Sequence, residues 1–244
     1  MRLASTLLAA ISLMTTASVV QAQEKVLNLY SARHYQTDEL LYSNFTKQTG
    51  IKINRIEADD NALFERLKNE GKNSPADVIV MVDAARIWRA EIEGFFQPVK
   101  SAVLSKRIPA NLHGKDDGQG PEWFGFSTRA RVIVYNKATV NPADVATYES
   151  LADPKNKGKV CTRSGSHPYN LSLIGSMIER DGEKATEQWA KGMVANFARP
   201  PRGGDTDQIK GVASGECGVA IANSYYYVRM LRSTKPEDLS LIHI

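Results

Sequence analysis

The sequence predicts an α/β protein of two lobes, and three observations point to it. Short apolar runs rich in Val and Ile alternate with segments of helical period between residues 26 and 93, the pattern of successive βα units. After a looser stretch at 98–120 that holds Pro109, Gly114, Gly118 and Gly120, the same style resumes. The length of 244 residues, 42% hydrophobic and 24% charged, suits one large domain or two small lobes with ordinary globular cores.

The elements follow in order. Residues 26–30 read as a strand. Residues 38–49 read as a helix with Leu41 and Phe45 on one face and Gly50 as its stop. Residues 51–56 alternate with period two, the mark of a half-buried strand. Asp60 is expected to cap a helix whose Leu63, Phe64 and Leu67 share a face and which ends at Gly71. Residues 77–82 are almost continuously apolar, as in a parallel sheet covered on both faces, and a helix over 84–93 stops at Gly94. In the second half, 131–135 is a strand, Asn141-Pro142 opens a turn, 147–152 is a short helix and 159–162 a strand. Helices follow over 171–180, 183–196 and 205–214, and a strand over 217–222 leads directly into Asn223-Ser224-Tyr225-Tyr226-Tyr227. The lobes are placed at 23–122 and 123–238, joined near residues 121–130.

Both ends stand apart from this pattern. Arg2 precedes an apolar run from Leu3 to Val20, and Val20-Gln21-Ala22 is a small-residue cleavage pattern. Residues 1–22 therefore read as a secretory signal peptide rather than a membrane anchor, since the run is short and rich in Ala, Ser and Thr. The mature chain is expected to start at Gln23, after export across the membrane. Leu239-Ser240-Leu241-Ile242-His243-Ile244 matches one reading frame of transposase sequencing-adapter DNA. A non-native tail over 239–244 is the expectation, with a short natural strand as the alternative.

Composition excludes little but is not silent. The net charge of +4 is modest and no block of Lys or Arg alternates with aromatics, so nucleic acid is not expected as a partner. The two cysteines, Cys161 and Cys217, both follow the signal peptide, and an even pair in an oxidising compartment reads as a disulfide, two buried free thiols being the alternative.

The densest chemistry lies at Tyr225-Tyr226-Tyr227. Neighbouring side chains in a helix or strand point in different directions, so one core is not expected to bury all three. A deprotonated phenol is a hard anionic donor, and hard cations choose oxygen. With His34-Tyr35 near the start and Tyr169 in the middle, the chain offers donors for trivalent iron. Pro168 is expected to hold Tyr169 in a loop, and Arg229 lies on the face of Tyr226 if a helix begins at the cluster.

Five stretches in order resemble one family, the periplasmic ferric-ion-binding proteins of bacterial ABC iron importers. They are Ser31-Ala32-Arg33-His34-Tyr35, Ser74-Pro75-Ala76-Asp77-Val78, the crossing from Trp123 through Arg129-Ala130-Arg131 to Asn136, Cys161-Thr162-Arg163-Ser164-Gly165-Ser166-His167-Pro168-Tyr169, and Asn223-Ser224-Tyr225-Tyr226. The resemblance implies a two-lobed type II periplasmic binding fold with the metal in the cleft. By motif, Tyr35 is a ligand from the first lobe and Tyr169, Tyr225 and Tyr226 are ligands from the second, as in the tyrosine-rich branch of the family. His34 is an occasional ligand in such proteins. Some members add a carboxylate from the first lobe, for which Asp83 is the nearest residue without a clear match. The cargo implied is Fe(3+), an anion such as carbonate is a candidate to complete the shell, and the partner implied is an inner-membrane ABC importer permease, met by a monomer. Arg229 would offset the excess negative charge of several phenolates. The family also continues well beyond the end of this chain, which implies that the C-terminal part is truncated.

Two rivals remain at this point. The same fold binds small anions such as phosphonates, or polyamines, and Arg163, Arg199 and Arg202 would serve an anion. A secreted hydrolase has Ser31, Ser127, Ser166 and four histidines available, but no G-x-S-x-G elbow or H-E-x-x-H helix.

Overall fold

The computed structural model describes residues 25–33 and 35–234. The signal segment, His34 and the tail at 239–244 lie outside the described residues. The chain divides into two compact units between Met81 and Val82.

In the first unit, strands β1 (Val26–Ser31), β2 (Lys52–Glu57) and β3 (Val78–Val80) form a parallel sheet in the order β2-β1-β3. The helices between them are α1 (Gln36–Thr49) and α2 (Asp60–Glu70). The core joins Leu29 and Tyr30 of the central strand to Leu63, Phe64 and Leu67 of α2. The Tyr30 hydroxyl donates to the Glu70 carboxylate at 2.9 Å, which satisfies the polar tip of a fully buried ring. The helix cap is Asp59, whose carboxylate accepts from the backbone N–H groups of Asn61 and Ala62, rather than Asp60. The reason is one of register: the cap must keep extended dihedrals, and Asp60 is already the first helical residue.

Two expectations about this sheet change. The strand at 77–82 shortens to β3, and Val78 is 43% exposed, because in the described sheet it is an edge strand rather than one covered on both faces. Gly50 stops α1 in the left-handed conformation as expected, but Leu41 is 66% exposed and no α1 side chain is fully buried.

The second unit opens with α3 (Ala84–Ile92) and α4 (Ala102–Arg107), the latter inside the stretch where no element was expected. The Ser101 hydroxyl caps α4 by accepting from Leu104 N–H at 3.3 Å. This stretch is fastened forward: Val99 N–H donates to Pro121 O, Gly114 N–H to Trp123 O, and the Trp123 indole to Glu91, each at 3.0 Å. This stretch therefore packs within the second compact unit.

A mixed sheet follows in the order β4-β6-β5, from β4 (Arg131–Tyr135), β5 (Val160–Cys161) and β6 (Val219–Asn223). β4 runs antiparallel to β6, and β5 runs parallel to it. Four helices complete the unit: α5 (Pro168–Asp181), α6 (Glu183–Ala195), α7 (Asp205–Ser214) and α8 (Ser224–Leu231). Short 3-10 turns at Pro142–Val145 and Glu149–Ala152 stand where a turn and a helix were expected.

β6 is the centre of this unit and is buried along its whole length. Its period of two divides the interior. Val219 and Ile221 face a cluster with Leu151, Leu173, Met177 and Met193, while Ala220 and Ala222 face one with Ile209, Val212 and Met230. The small alanines let α7 approach one face closely, and the bulkier pair fills the other.

Cys161 and Cys217 form a disulfide that ties β5 to the residues leading into β6, with Cα atoms 5.8 Å apart. The bridge closes a loop of sequence separation 56. Replacing both cysteines by Ala is expected to lower unfolding free energy by about 4 kcal/mol in the chain-entropy model. Denaturant titration of the oxidised parent against the double variant measures this, and an unchanged midpoint would show that the bridge does not constrain the unfolded chain.

Candidate functional site

The three phenols of the second unit meet because of strand direction. β5 and β6 are parallel neighbours, so their carboxyl ends lie on the same sheet edge. The chain leaving β5 enters α5 at Pro168, and the chain leaving β6 enters α8 at Ser224. Ligands of α/β sheets gather at such strand ends.

Tyr169 sits in the first turn of α5 and not in a loop. Pro168 occupies the first helical position, where its missing N–H costs nothing and its fixed φ suits the helix. His167 is the cap: its Nδ1 accepts from Tyr169 N–H at 3.2 Å, and its ring meets the Tyr169 ring edge-on at 4.6 Å. Burial, and next the Arg163 charge, lower the His167 pKa to about 4, so the nitrogen is unprotonated and free to accept. His113 contacts the Gly114 carbonyl oxygen through Nδ1 at 2.8 Å.

Tyr225 and Tyr226 open α8, with ring centroids 4.3 Å apart. The Tyr225 and Tyr169 hydroxyl oxygens are 3.4 Å apart. Tyr226 and Tyr227 both pack against the cluster beside α7 and Tyr225 does not, so one core takes two of the three adjacent rings and not all of them, as their adjacency suggested. The helix start puts Arg229 on the face of Tyr226, with its guanidinium carbon 5.2 Å from the ring centroid.

Sequence reasoning did not assign the polar shell around Tyr169. The guanidinium carbons of Arg129, Arg163 and Arg131 lie 4.7, 5.0 and 5.6 Å from its ring centroid. Arg131 reaches this place through register, since antiparallel pairing sets it opposite Asn223 at the end of β6. It donates to Asn223 Oδ1 at 3.1 Å and to Asn170 Oδ1 at 2.8 Å. Asn170 in turn donates to Thr162 Oγ1 and to the Arg163 and Ser164 carbonyls, which rivets the first turn of α5 to the loop after β5.

Two carboxylates balance the arginines in part. Asp205, with a fully buried side chain, pairs with Arg131 at 3.0 Å and Arg163 at 3.2 Å and accepts from Asn223 N–H at 2.7 Å. Asp83 caps α3, pairs with Arg129 at 3.2 Å and accepts from the Ser172 hydroxyl at 2.8 Å. Three guanidiniums against two carboxylates leave this shell at +1 (3 − 2). Arg199 and Arg202, the other arginines considered for an anion, pair instead with Glu216.

In the first unit, Tyr35 follows the carboxyl end of β1 and occupies the position before α1. The Arg33 guanidinium lies 5.0 Å from its ring centroid and is held by a two-point pair with Asp38 at 2.8 and 2.9 Å. Among the described residues, no group of three or more His, Cys, Asp or Glu is placed to hold a metal. The two hydroxyl oxygens that approach one another here, those of Tyr169 and Tyr225, are phenolic. No described helix is long and apolar enough to cross a membrane.

The chain is 52% identical over 219 residues to iron uptake protein A1 of Synechocystis, an alignment that takes in 90% of this chain and 60% of that protein. A Trichodesmium protein solved in complex with iron and citrate ligands is 55% identical, with a TM-score of 0.80 over 88% of this chain and 67% of that one. The ferric binding protein from Campylobacter jejuni superposes with a TM-score of 0.82 at 41% identity, over 88% of this chain and 67% of that one. The fold is thus α/β of the type II periplasmic binding class, as the sequence implied. Residues 41–235 match the family of bacterial extracellular solute-binding proteins, and the chain belongs to that family.

Proposed function

We propose that this chain captures ferric iron through tyrosine phenolates in the periplasm and delivers it to an inner-membrane ABC importer. The observation that carries the reading is the 3.4 Å approach of the Tyr169 and Tyr225 hydroxyl oxygens inside a shell of three arginines. Oxygens at this separation are close enough to share one metal ion, and the Tyr226 ring lies alongside.

The physics favours a trivalent cation held by anions. A phenol is protonated at neutral pH with a reference pKa of about 10, and a metal at bonding distance displaces the proton. Both phenol-bearing helices start at the site, so their N-terminal dipoles favour negative charge there. Tyr169, Tyr225, Tyr226 and Tyr35 as four phenolates with Fe(3+) sum to −1 (3 − 4), which the +1 of the arginine shell offsets. Tyr35, and His34 as a further donor, are assigned by resemblance to the ferric-binding family. Arg229 beside Tyr226 leaves charge for a synergistic anion. Among the described residues, the buried Nε atoms of Arg131 and Arg163 and Nδ2 of Asn223 have no hydrogen-bond partner, which fits an anion or water in that layer. The same cationic shell disfavours a polyamine as the ligand.

Replacing Tyr225 and Tyr226 by Phe keeps the rings and removes the oxygens. The double variant is expected to keep its melting profile and to lose the phenolate-to-iron absorption band that the parent gains with ferric citrate. Tyr227→Phe should retain the band. A colourless parent, or a double variant as coloured as the parent, refutes the phenolate reading, and calorimetry against phosphonates identifies the rival.

Protons and iron compete for the same oxygens. Iron loading is therefore expected to release protons and to weaken as pH falls. A pH-stat titration during loading measures this, and loading without proton release would count against phenolate ligation.

A further inference from the structure

The ferric reading assigns the oxygens that hold metal but leaves open what sets their spacing. We propose that Asp205 is the positioning residue of the site, holding Tyr169 and Tyr225 at a separation that one metal ion can bridge. This role rests on the ferric reading and goes beyond it to a residue that touches no metal.

One carboxylate, fully buried, accepts from three groups that belong to three different segments. Arg131 stands at the start of β4, Arg163 in the loop between β5 and α5, and Asn223 at the junction of β6 and α8. Two of the three are arginines whose guanidiniums lie at the Tyr169 ring. The third is the backbone N–H of the residue that precedes α8, two positions before Tyr225. Asp205 thus fixes the surroundings of Tyr169 and the starting point of the Tyr225 helix at a single point.

Its own position is equally constrained. Asp205 is the first residue of α7, where the helix dipole favours a carboxylate, and α7 is packed on the β6 face through Ile209 and Val212. A buried ion pair is weak evidence for a stabilising role, because desolvation offsets much of the attraction. Positioning accounts for its geometry directly. The charge works in the same direction. With Asn at 205 the shell would rise from +1 to +2 (3 − 1) and repel the metal.

The test uses Asp205→Asn in the full chain, read by ferric titration against a competing chelator and by the absorption band. The expected result is a fall in ferric affinity of about 10- to 100-fold, the usual cost of losing a partner outside the ligand shell. The band is expected to weaken and move to longer wavelength, since iron holding fewer phenolates is a better electron acceptor. A stability effect alone would not move the band, and Leu151→Ala, a fully buried core residue outside the site, serves as the control that is destabilised with an unchanged band position. Should Asp205→Asn fail to fold, Arg163→Gln reports on the same linkage and is expected to shift the band likewise. Affinity within about twofold of the parent with an unmoved band, in either variant, overturns the proposal, since the expected loss is tenfold or more. A parent with no band at all would instead overturn the ferric reading on which it rests.

Discussion

Parallel pairing of β5 with β6 is the constraint from which the rest of the site follows. Two parallel neighbours deliver their carboxyl ends to one edge, and each of these strands is continued by a helix. Tyr169 and Tyr225 are brought together from opposite sides of a 56-residue separation for that reason alone. Were β5 antiparallel to β6, the same residues would sit at opposite ends of the sheet. The disulfide bears on this pairing, since it joins Cys161 of β5 to Cys217 just ahead of β6.

Around that edge the molecule concentrates charge it would be costly to bury singly. Arg131, Arg163 and Asp205 are largely removed from water, and each is held by more than one partner or ring. A charge in such a setting cannot move without leaving another unpaired. The arrangement is stiff for the same reason that it is polar. That stiffness suits the proposed metal capture by large aromatic side chains, because a phenol ring carries its oxygen far from the backbone.

Much of this was legible in the sequence, and what was not has identifiable causes. The alternation of period two with helical period gave the order of strands and helices, and the cysteine pair and the tyrosine cluster were visible as composition. The partners of Tyr169 were not. Arg131 meets Asp205 and Asn223 across 74 and 92 residues, through sheet register that no local pattern records. Pro168 was ambiguous because the same fixed φ serves a loop and the first position of a helix. The spacing of Leu41 and Phe45 shows which side of α1 is apolar but not what lies against it.

The rings of Tyr226 and Tyr227 belong to the interior as well as to the cluster. Their carbon skeletons therefore contribute to packing in their own right. Donor number is in this sense decoupled from folding. On the proposed ferric reading, a lineage can gain or shed a single oxygen atom at position 226 and retune which cation it prefers, while the ring keeps its packing.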